Sequence, residues 1–479
     1  MDVAARHVGK RRHGEFRRKT MAQQSIDVAR LIDERPIATF HIWLVAFAFA
    51  IIIADGYDIT AIAFAAPELV KQWGITDRSA LGPVFSASLV GVLVGSPLFG
   101  FVGDRYGRKV ASIGSLLVFG IFTLAASWTG SLDQMLVLRA LAGIGLGGLM
   151  PNMIALTGEF APRRYRATLI IVMFCGVTLG GAIPAAIAVW LVPSHGWQSI
   201  FVIGGLLPLA FAAFAWLWLP ESVKFLVVKG RRDEAVRILR MVAPDADIGP
   251  ETVLVPPAET VYAGFNPKHL FGEGLALITP LLWLCFAINL MGFYFLISWM
   301  PTLLIGQKLL AQSDAAVATS LVQIGGTIGG FVLCRPMERK GFWPVALLFA
   351  GAIPFVALIG YAAATSTWLL MVVVTLAGFC ILGLQFGLNA ASAMIYPTSV
   401  RSNGSGWAFG VGRFGSILGP IFGGKLIALK LSVPMLFLIA AIPFVLGTAA
   451  CVALAVLYSA RFKGAGLGER GSAASPATS

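Results

Sequence analysis

Charge is scarce in this chain. Of its 479 residues only 12% are Asp, Glu, Lys or Arg and 57% are hydrophobic, against roughly 25% charged in soluble domains. A soluble protein of this size has no core able to hide that much apolar surface, which argues against a free globular enzyme. Cysteine is sparse too. Cys175, Cys285, Cys334, Cys380 and Cys451 stand singly in or beside apolar stretches, with no CxxC pair and no Cys/His cluster. A zinc or redox centre lacks a ligand set, no metal site is expected, and the thiols read as small core residues. HExxH, GxSxG and GxxxxGK[ST] are missing as well. That removes the common hydrolase readings and a self-contained ATP-driven pump. A membrane β-barrel would show alternating segments of ~10 residues; the runs here are longer and evenly apolar.

Twelve such runs are present, near 39–66, 81–103, 110–128, 132–158, 167–192, 198–219, 277–305, 315–333, 343–364, 367–395, 403–428 and 433–458. Most approach the roughly 20 residues that cross a bilayer as a helix. The expected organisation is a tail (1–38), a six-helix bundle (39–219), a polar central loop (220–276), a second six-helix bundle (277–458) and a second tail (459–479). With both tails placed in the cytoplasm, 29 of the 36 Lys and Arg fall on the inner side and four in outer loops. Such a bias is the positive-inside signature. The net charge of +13 therefore reads as topology and not as a nucleic-acid footprint. Residues 1–20 are densely basic without the apolar core of a signal peptide, and Met21 is a candidate start.

A short pattern occurs twice. Gly100-Phe-Val-Gly-Asp104-Arg105-Tyr-Gly107-Arg108-Lys109 follows the second run, and Cys334-Arg-Pro-Met-Glu338-Arg339-Lys-Gly341 follows the eighth. Acid, Arg and Gly recur at one offset, and a Pro-x-x-x-Arg echo follows runs four (Pro162, Arg166) and ten (Pro397, Arg401). Duplicated six-helix halves are a hallmark of secondary transporters, whose site lies between the halves. This loop motif, the twelve runs, Arg139 in the fourth and Pro220-Glu221-Ser222 after the sixth resemble the major facilitator superfamily. The resemblance implies an all-α integral membrane fold of two pseudo-symmetric bundles. It also makes Asp104, Arg105, Gly107 and Arg108, with Glu338 and Arg339, a cytoplasmic gate that latches the halves while the protein faces outward. Glu338 and Cys334 depart from the usual Asp and Gly, so the second latch is expected to be the weaker.

Charged residues inside the runs carry the functional reading. An ionised Asp at mid-bilayer costs about 2.5–3.5 kcal/mol on insertion scales, yet the first run holds Asp55 and Asp58. At i and i+3 they lie about 60° apart on one helix face. They must share a polar cavity, and a carboxylate poised there to gain and lose a proton is what proton coupling needs. The depths of Asp58 and Arg139 differ by about 5 Å at 1.5 Å per residue, so a pair is feasible. Arg413 sits near mid-membrane in the eleventh run, without a counterpart in the first half; its fork suits a carboxylate or a gating pair. Glu159 is expected to pair with Arg163, Arg164 or Arg166. Tyr57, Phe295, Trp299, Phe386 and Tyr396 are candidates for a ring-binding pocket, with packing as the alternative for each. Gln385 and Asn389 can meet a substrate hydroxyl or bridge helices.

Asp55-Gly-Tyr-Asp58 with Ala65-Ala-Pro67, Arg139-Ala-Leu-Ala-Gly143-Ile-Gly-Leu-Gly147, Pro151-Asn152 and Gly412-Arg413-x-Gly415 resemble the aromatic acid:proton symporter family. The resemblance implies import of a small aromatic carboxylate such as 4-hydroxybenzoate, protocatechuate or benzoate. Asp55 and Asp58 take the family's acidic pair, and Arg139 and Arg413 its membrane arginines. It further implies a bacterial inner membrane, no cofactor beyond the proton gradient, no nucleic-acid partner, and a monomeric working unit in the lipid bilayer. A carrier of muconate or another dicarboxylate, an exporter and a transporter-like chemoreceptor are the alternatives.

Overall fold

The computed structural model describes residues 25–162, 164–246, 248–249, 252–255, 270–272, 275–306, 309–396 and 401–462. Twelve long helices dominate it: α1 Thr39–Gln72, α2 Leu81–Tyr106, α3 Arg108–Ala126, α4 Leu132–Phe160, α5 Arg166–Trp190, α6 Gln198–Trp218, α7 Ile278–Gly306, α8 Gln312–Lys340, α9 Trp343–Thr365, α10 Thr367–Ile395, α11 Arg401–Ala428 and α12 Val433–Phe462. Eleven of them are long and apolar enough to cross a membrane. The exception, α11, is diluted by its glycines, Arg413 and Lys425. It still packs against α7 and α2 like its neighbours. The chain is a multi-span membrane protein.

Both halves use one pairing scheme. In the first, α1 packs on α5, α2 on α4 and α3 on α6; in the second, α7 packs on α11, α8 on α10 and α9 on α12. Lipid tails give apolar helices no hydrophobic reason to associate, so close backbone approach has to supply the attraction. Glycines provide it at matching seams. Gly56 and Gly180 join α1 to α5 against the backbones of Val177 and Ile53, and Gly91, Gly95 and Gly143 join α2 to α4. Gly415 and Gly419 repeat the first seam on Ala287 and Met291 of α7. Gly325, Gly329 and Gly378 repeat the second between α8 and α10.

The recurring loop glycine has one role in both halves. Gly107 ends α2 at φ 109°, ψ 152° and Gly341 ends α8 at φ 62°, ψ −129°, sparsely populated conformations that cost an L-residue about 1–3 kcal/mol. A Cβ on Gly107 would also run into the carboxylate of Glu221. Gly107→Ala is therefore expected to lower stability by at least that cost and to free Glu221 from Lys109. A thermal unfolding series in detergent measures it, and a midpoint equal to wild type would contradict this account of the turn.

The halves meet unevenly. Among the described residues, hydrogen bonds between them run from mid-membrane to the end opposite the loop motif. Thr178 and Thr327 join hydroxyls at 3.3 Å, Ser86 donates to Ile417 O at 2.7 Å, and Gln312 donates to Ala188 O at 2.7 Å. Thr302 donates to Ala63 O, the carbonyl that Pro67 leaves without its helical partner. That proline does not end α1, which continues six residues past the apolar run to Gln72. The seal is closed by Phe85 of α2 against Trp299 of α7, ring centroids 4.9 Å apart, while Trp299 Nε1 donates to Pro420 O at 2.9 Å. A Cβ on Gly424 would stand 2.8 Å from Ser79 O. Gly424→Leu should therefore hold this end open. A cysteine placed at Ser298 would then react faster with an impermeant thiol reagent than in the Gly424 parent, and equal rates would refute the seal.

At the loop-motif end, tail and central loop are folded together, which apolar runs alone did not signal. Strand β1 (Ser25–Asp27) pairs in parallel with β2 (Val253–Val255). Val28 and Ile32 pack with Leu226 from the short helix Val223–Val228 and with Leu239 and Val242 from the amphipathic helix Arg232–Val242. Arg35–Asp245 joins tail to loop within this cap, and Arg166–Asp33 ties it to the first half, both at 3.2 Å.

Candidate functional site

One cavity gathers charge from both halves. Asp55, Asp58 and Ile59 of α1, Phe85, Ser88, Leu89 and Val92 of α2, Arg139 and Leu146 of α4, Tyr294 and Ser298 of α7 and Arg413 of α11 line it. Its volume of about 20 Å³ is room for one water molecule.

The Asp58 side is tightly built. Arg139 Nη1 donates to Asp58 Oδ1, and Nη2 donates to Oδ2 at 3.2 Å and to the Asp58 carbonyl at 3.3 Å. Ser88 adds its hydroxyl to Oδ2 at 2.6 Å. Carboxylate and guanidinium are 4% and 2% exposed. A pair so dry depends on short-range partners: both carboxylate oxygens and both terminal guanidinium nitrogens are met, whereas Arg139 Nε has no partner among the described residues. All three residues belong to the first half, and the α2–α4 glycine seam brings Ser88 and Arg139 onto one side, with Gly143 against the Ser88 backbone.

The Asp55 side is different. Asp55 is 8% exposed, and its facing cation is Arg413 of the other half. Tyr294 lines the same cavity as Arg413. Arg413 is half-buried at the interface of the halves.

The proposed aromatic pocket is placed elsewhere. Tyr57 is 1% exposed and donates to Ile200 O at 2.5 Å, with its ring against Gly204 of α6. One residue from Asp58 is about 100° around a helix, so Tyr57 cannot share the acidic face. Phe295 packs on Phe437, Trp299 serves the seal, and Phe386 lies 40% exposed against Gly330. Tyr396 packs on Gly404 near Thr279 and Trp283. The rings at the cavity are Phe85 and Tyr294. Tyr294 and Ser298, spaced i and i+4 with Thr302 one further step along the same face, are the legible signal. Gln385 and Asn389 bridge helices: Asn289 of α7 donates to Gln385, which donates to Asn389, both at 3.0 Å.

The loop motif is turned onto its own half. Arg108 donates to Asp104 at 2.5 Å and to Asn152 at 3.1 Å, while Asp104 and Arg105 are exposed. The side chains of Glu338 and Arg339 lie outside the described residues. Glu159 does not take the expected ion pair with Arg164 or Arg166, and Arg163 lies outside the described residues. It accepts the Ser222 hydroxyl at 2.6 Å and the Lys224 amide at 2.7 Å, because it faces the N-terminus of the short helix Val223–Val228. Arg166 turns to Asp33 instead. Next to it, Glu221 accepts the amides of Lys109 and Ser222 at 3.2 and 2.9 Å. Burial raises its carboxyl above the ordinary range. Among the described residues no group of His, Cys, Asp and Glu could hold a metal ion. Cys285, Cys380 and Cys451 are buried free thiols, and Cys175 is a partly buried one.

The profile of the Major Facilitator Superfamily matches residues 47–361. A 4-hydroxybenzoate transporter, PcaK, of Pseudomonas putida is 38% identical over 85% of this chain and 90% of its own length. A gallate transporter of the same organism is 37% identical over 90% and 94%. The xylose transporter XylE of E. coli, in a partially occluded inward-open conformation, superposes with a TM-score of 0.65 at 16% identity. That match covers 86% of this chain and 98% of XylE. Pairing scheme, repeated loop and these relatives agree: the chain is a transporter of the Major Facilitator Superfamily, in the branch that holds the 4-hydroxybenzoate and gallate transporters.

Proposed function

We propose that the protein is a proton-coupled importer of a small aromatic carboxylate, of the 4-hydroxybenzoate, protocatechuate or benzoate class. The observation that carries this is Arg413, a cation at the interface of the halves in one cavity with two carboxylates. A neutral cargo gives no reason to keep such a charge in the membrane, and a guanidinium is matched to a carboxylate. The relatives' names supply the aromatic ring. Phe85 and Tyr294 offer it flanking surfaces once the halves part. Arg139, held by Asp58, contributes positive potential, and Asp55 and Asp58 form the coupling pair.

The protein sits in a bacterial inner membrane with both termini cytoplasmic, as the distribution of Lys and Arg supports. The outer ends of the halves are then the sealed ones. Asp104, Arg105 and Arg108 exchange their contacts within the first half for ones that latch the cytoplasmic ends together in the opposite state, with Glu338 and Arg339 as the repeat's second latch. One chain holds both halves, so a monomer suffices, and the gradient replaces any cofactor. Uptake of radiolabelled 4-hydroxybenzoate into expressing cells tests the reading. We expect uptake that a protonophore abolishes and that only aromatic acids compete. Competition by muconate or another dicarboxylate alone, or no uptake with the protein present in the membrane, would overturn the substrate class.

A further inference from the structure

We propose that the two membrane aspartates divide the work: Asp55 takes the proton and exchanges Arg413 with the substrate carboxylate, while Asp58 stays ionised as the fixed partner of Arg139. The inference rests on the proton-coupled reading above and says which atoms perform it.

Coupling requires a proton site whose surroundings differ between the two states of the carrier; a site with the same neighbours in both has no differential affinity to contribute. Asp58 has such constant neighbours. Its carboxylate takes donors from Arg139 and Ser88, on α4 and α2, and both helices are joined to each other within one half by backbone contacts. Rocking of the halves leaves that set unchanged. Asp55 is the opposite case. Its facing cation belongs to α11 of the other half, so separating the halves at this level takes the countercharge away.

The remaining groups around Asp55 support the same division. Asp58 is a second negative charge on the same helix face, Arg139 is committed to it, and Tyr294 of α7 presents a hydroxyl. From α2 the lining adds the uncharged Ser88. The membrane spans of α5 and α6, which also pack on α1, bring Cys175 as their only ionisable group. Among the described residues Arg413 is the uncommitted cation in Asp55's cavity, facing it without a direct ion pair, and a substrate carboxylate arriving at Arg413 competes with an anionic Asp55 for that charge. A proton on Asp55 removes that competition. The proton binds to a carboxylate oxygen, the guanidinium keeps its charge, and the pair Asp55–H plus Arg413–substrate is as neutral as Asp55–Arg413 was. One proton thus accompanies one carboxylate, and each raises the affinity for the other.

Two measurements test this. In proteoliposomes, wild type should concentrate 4-hydroxybenzoate about tenfold across a gradient of one pH unit. Asp55→Asn should reach no accumulation ratio above one while still exchanging internal for external substrate. Accumulation by Asp55→Asn equal to wild type, or loss of exchange in a folded protein, would overturn the division. Absence of transport by wild type would instead count against the substrate class. The second measurement needs no substrate: infrared titration of the purified protein, following the carbonyl stretch of a protonated buried carboxyl. Above the background left by Glu221, whose carboxyl burial raises, and by the half-buried Glu159, one titrating component should be lost in Asp55→Asn and persist in Asp58→Asn. The reverse pattern would assign the proton to Asp58 and refute the proposal.

Discussion

Arg139→Met is expected to cost about 3–5 kcal/mol of stability, the range for breaking one side of a buried ion pair. The physical reason is what stays behind. Asp58 is 4% exposed, so a carboxylate stripped of its guanidinium has no water to turn to, and the Ser88 hydroxyl at 2.6 Å supplies one donor where three were present. The variant must either bury an unpaired charge or bind a proton there, and both outcomes lower the folded state. Adding Asp58→Asn should restore most of the loss, because a neutral amide beside a methionine leaves no charge to solvate. Thermal unfolding in detergent of the two singles and the double gives the coupling directly. Additive losses, with no rescue in the double, would show that the pair is not the unit described.

The second large effect belongs to Arg413. Each hydrogen bond to a charged group contributes about 1.5–3 kcal/mol. Removing a two-pronged anchor with Arg413→Ala should therefore weaken binding of 4-hydroxybenzoate by about 100-fold or more. Arg413→Lys keeps the charge and loses the fork, so a smaller loss of about tenfold is expected. The informative comparison is 4-hydroxybenzamide, which has the ring and hydroxyl without the negative charge. Wild type should prefer the acid strongly, and Arg413→Ala should bind acid and amide alike. Undiminished discrimination in Arg413→Ala would move the anchor to another residue, with Arg139 next in line. Stability should change less than for Arg139, because the carboxylate left behind, Asp55, is the one assigned to take up a proton, and Arg413 is only half-buried between the halves.

The contrast between these arginines marks how far sequence carries. Depth along a helix is a count of residues, so the meeting of Asp58 and Arg139 could be reached by arithmetic before any coordinates. Direction around a helix is also a count when two residues share that helix, which is why Asp55 and Asp58 face one cavity. The same rule, applied to Tyr57, would have turned its ring away from that cavity toward α6. Which face of α7 looks inward depends on α11 and α10, and neighbouring residues there have opposite duties. Tyr294 lines the cavity, whereas Phe295 packs on Phe437 inside the second half. Glu159 was misread for a related reason. Three nearby arginines made a plausible partner set, but the helix start at Ser222 and Val223, 63 residues along the chain, offered an amide and a hydroxyl in fixed geometry. Long-range partners of that kind leave no periodic trace.

The glycine seams also determine how this molecule would come apart. Inside each half the main helix pairs touch backbone to backbone at matching positions, whereas the described hydrogen bonds between halves occupy only part of the membrane's depth. Regions joined by dense contact open together, and regions joined by sparse contact open apart. Drawn out of a bilayer by its C-terminal end, the chain should therefore yield in two blocks, α12 to α7 first and α6 to α1 afterwards. The same partition that lets the halves rock as rigid bodies makes each of them a separate mechanical unit.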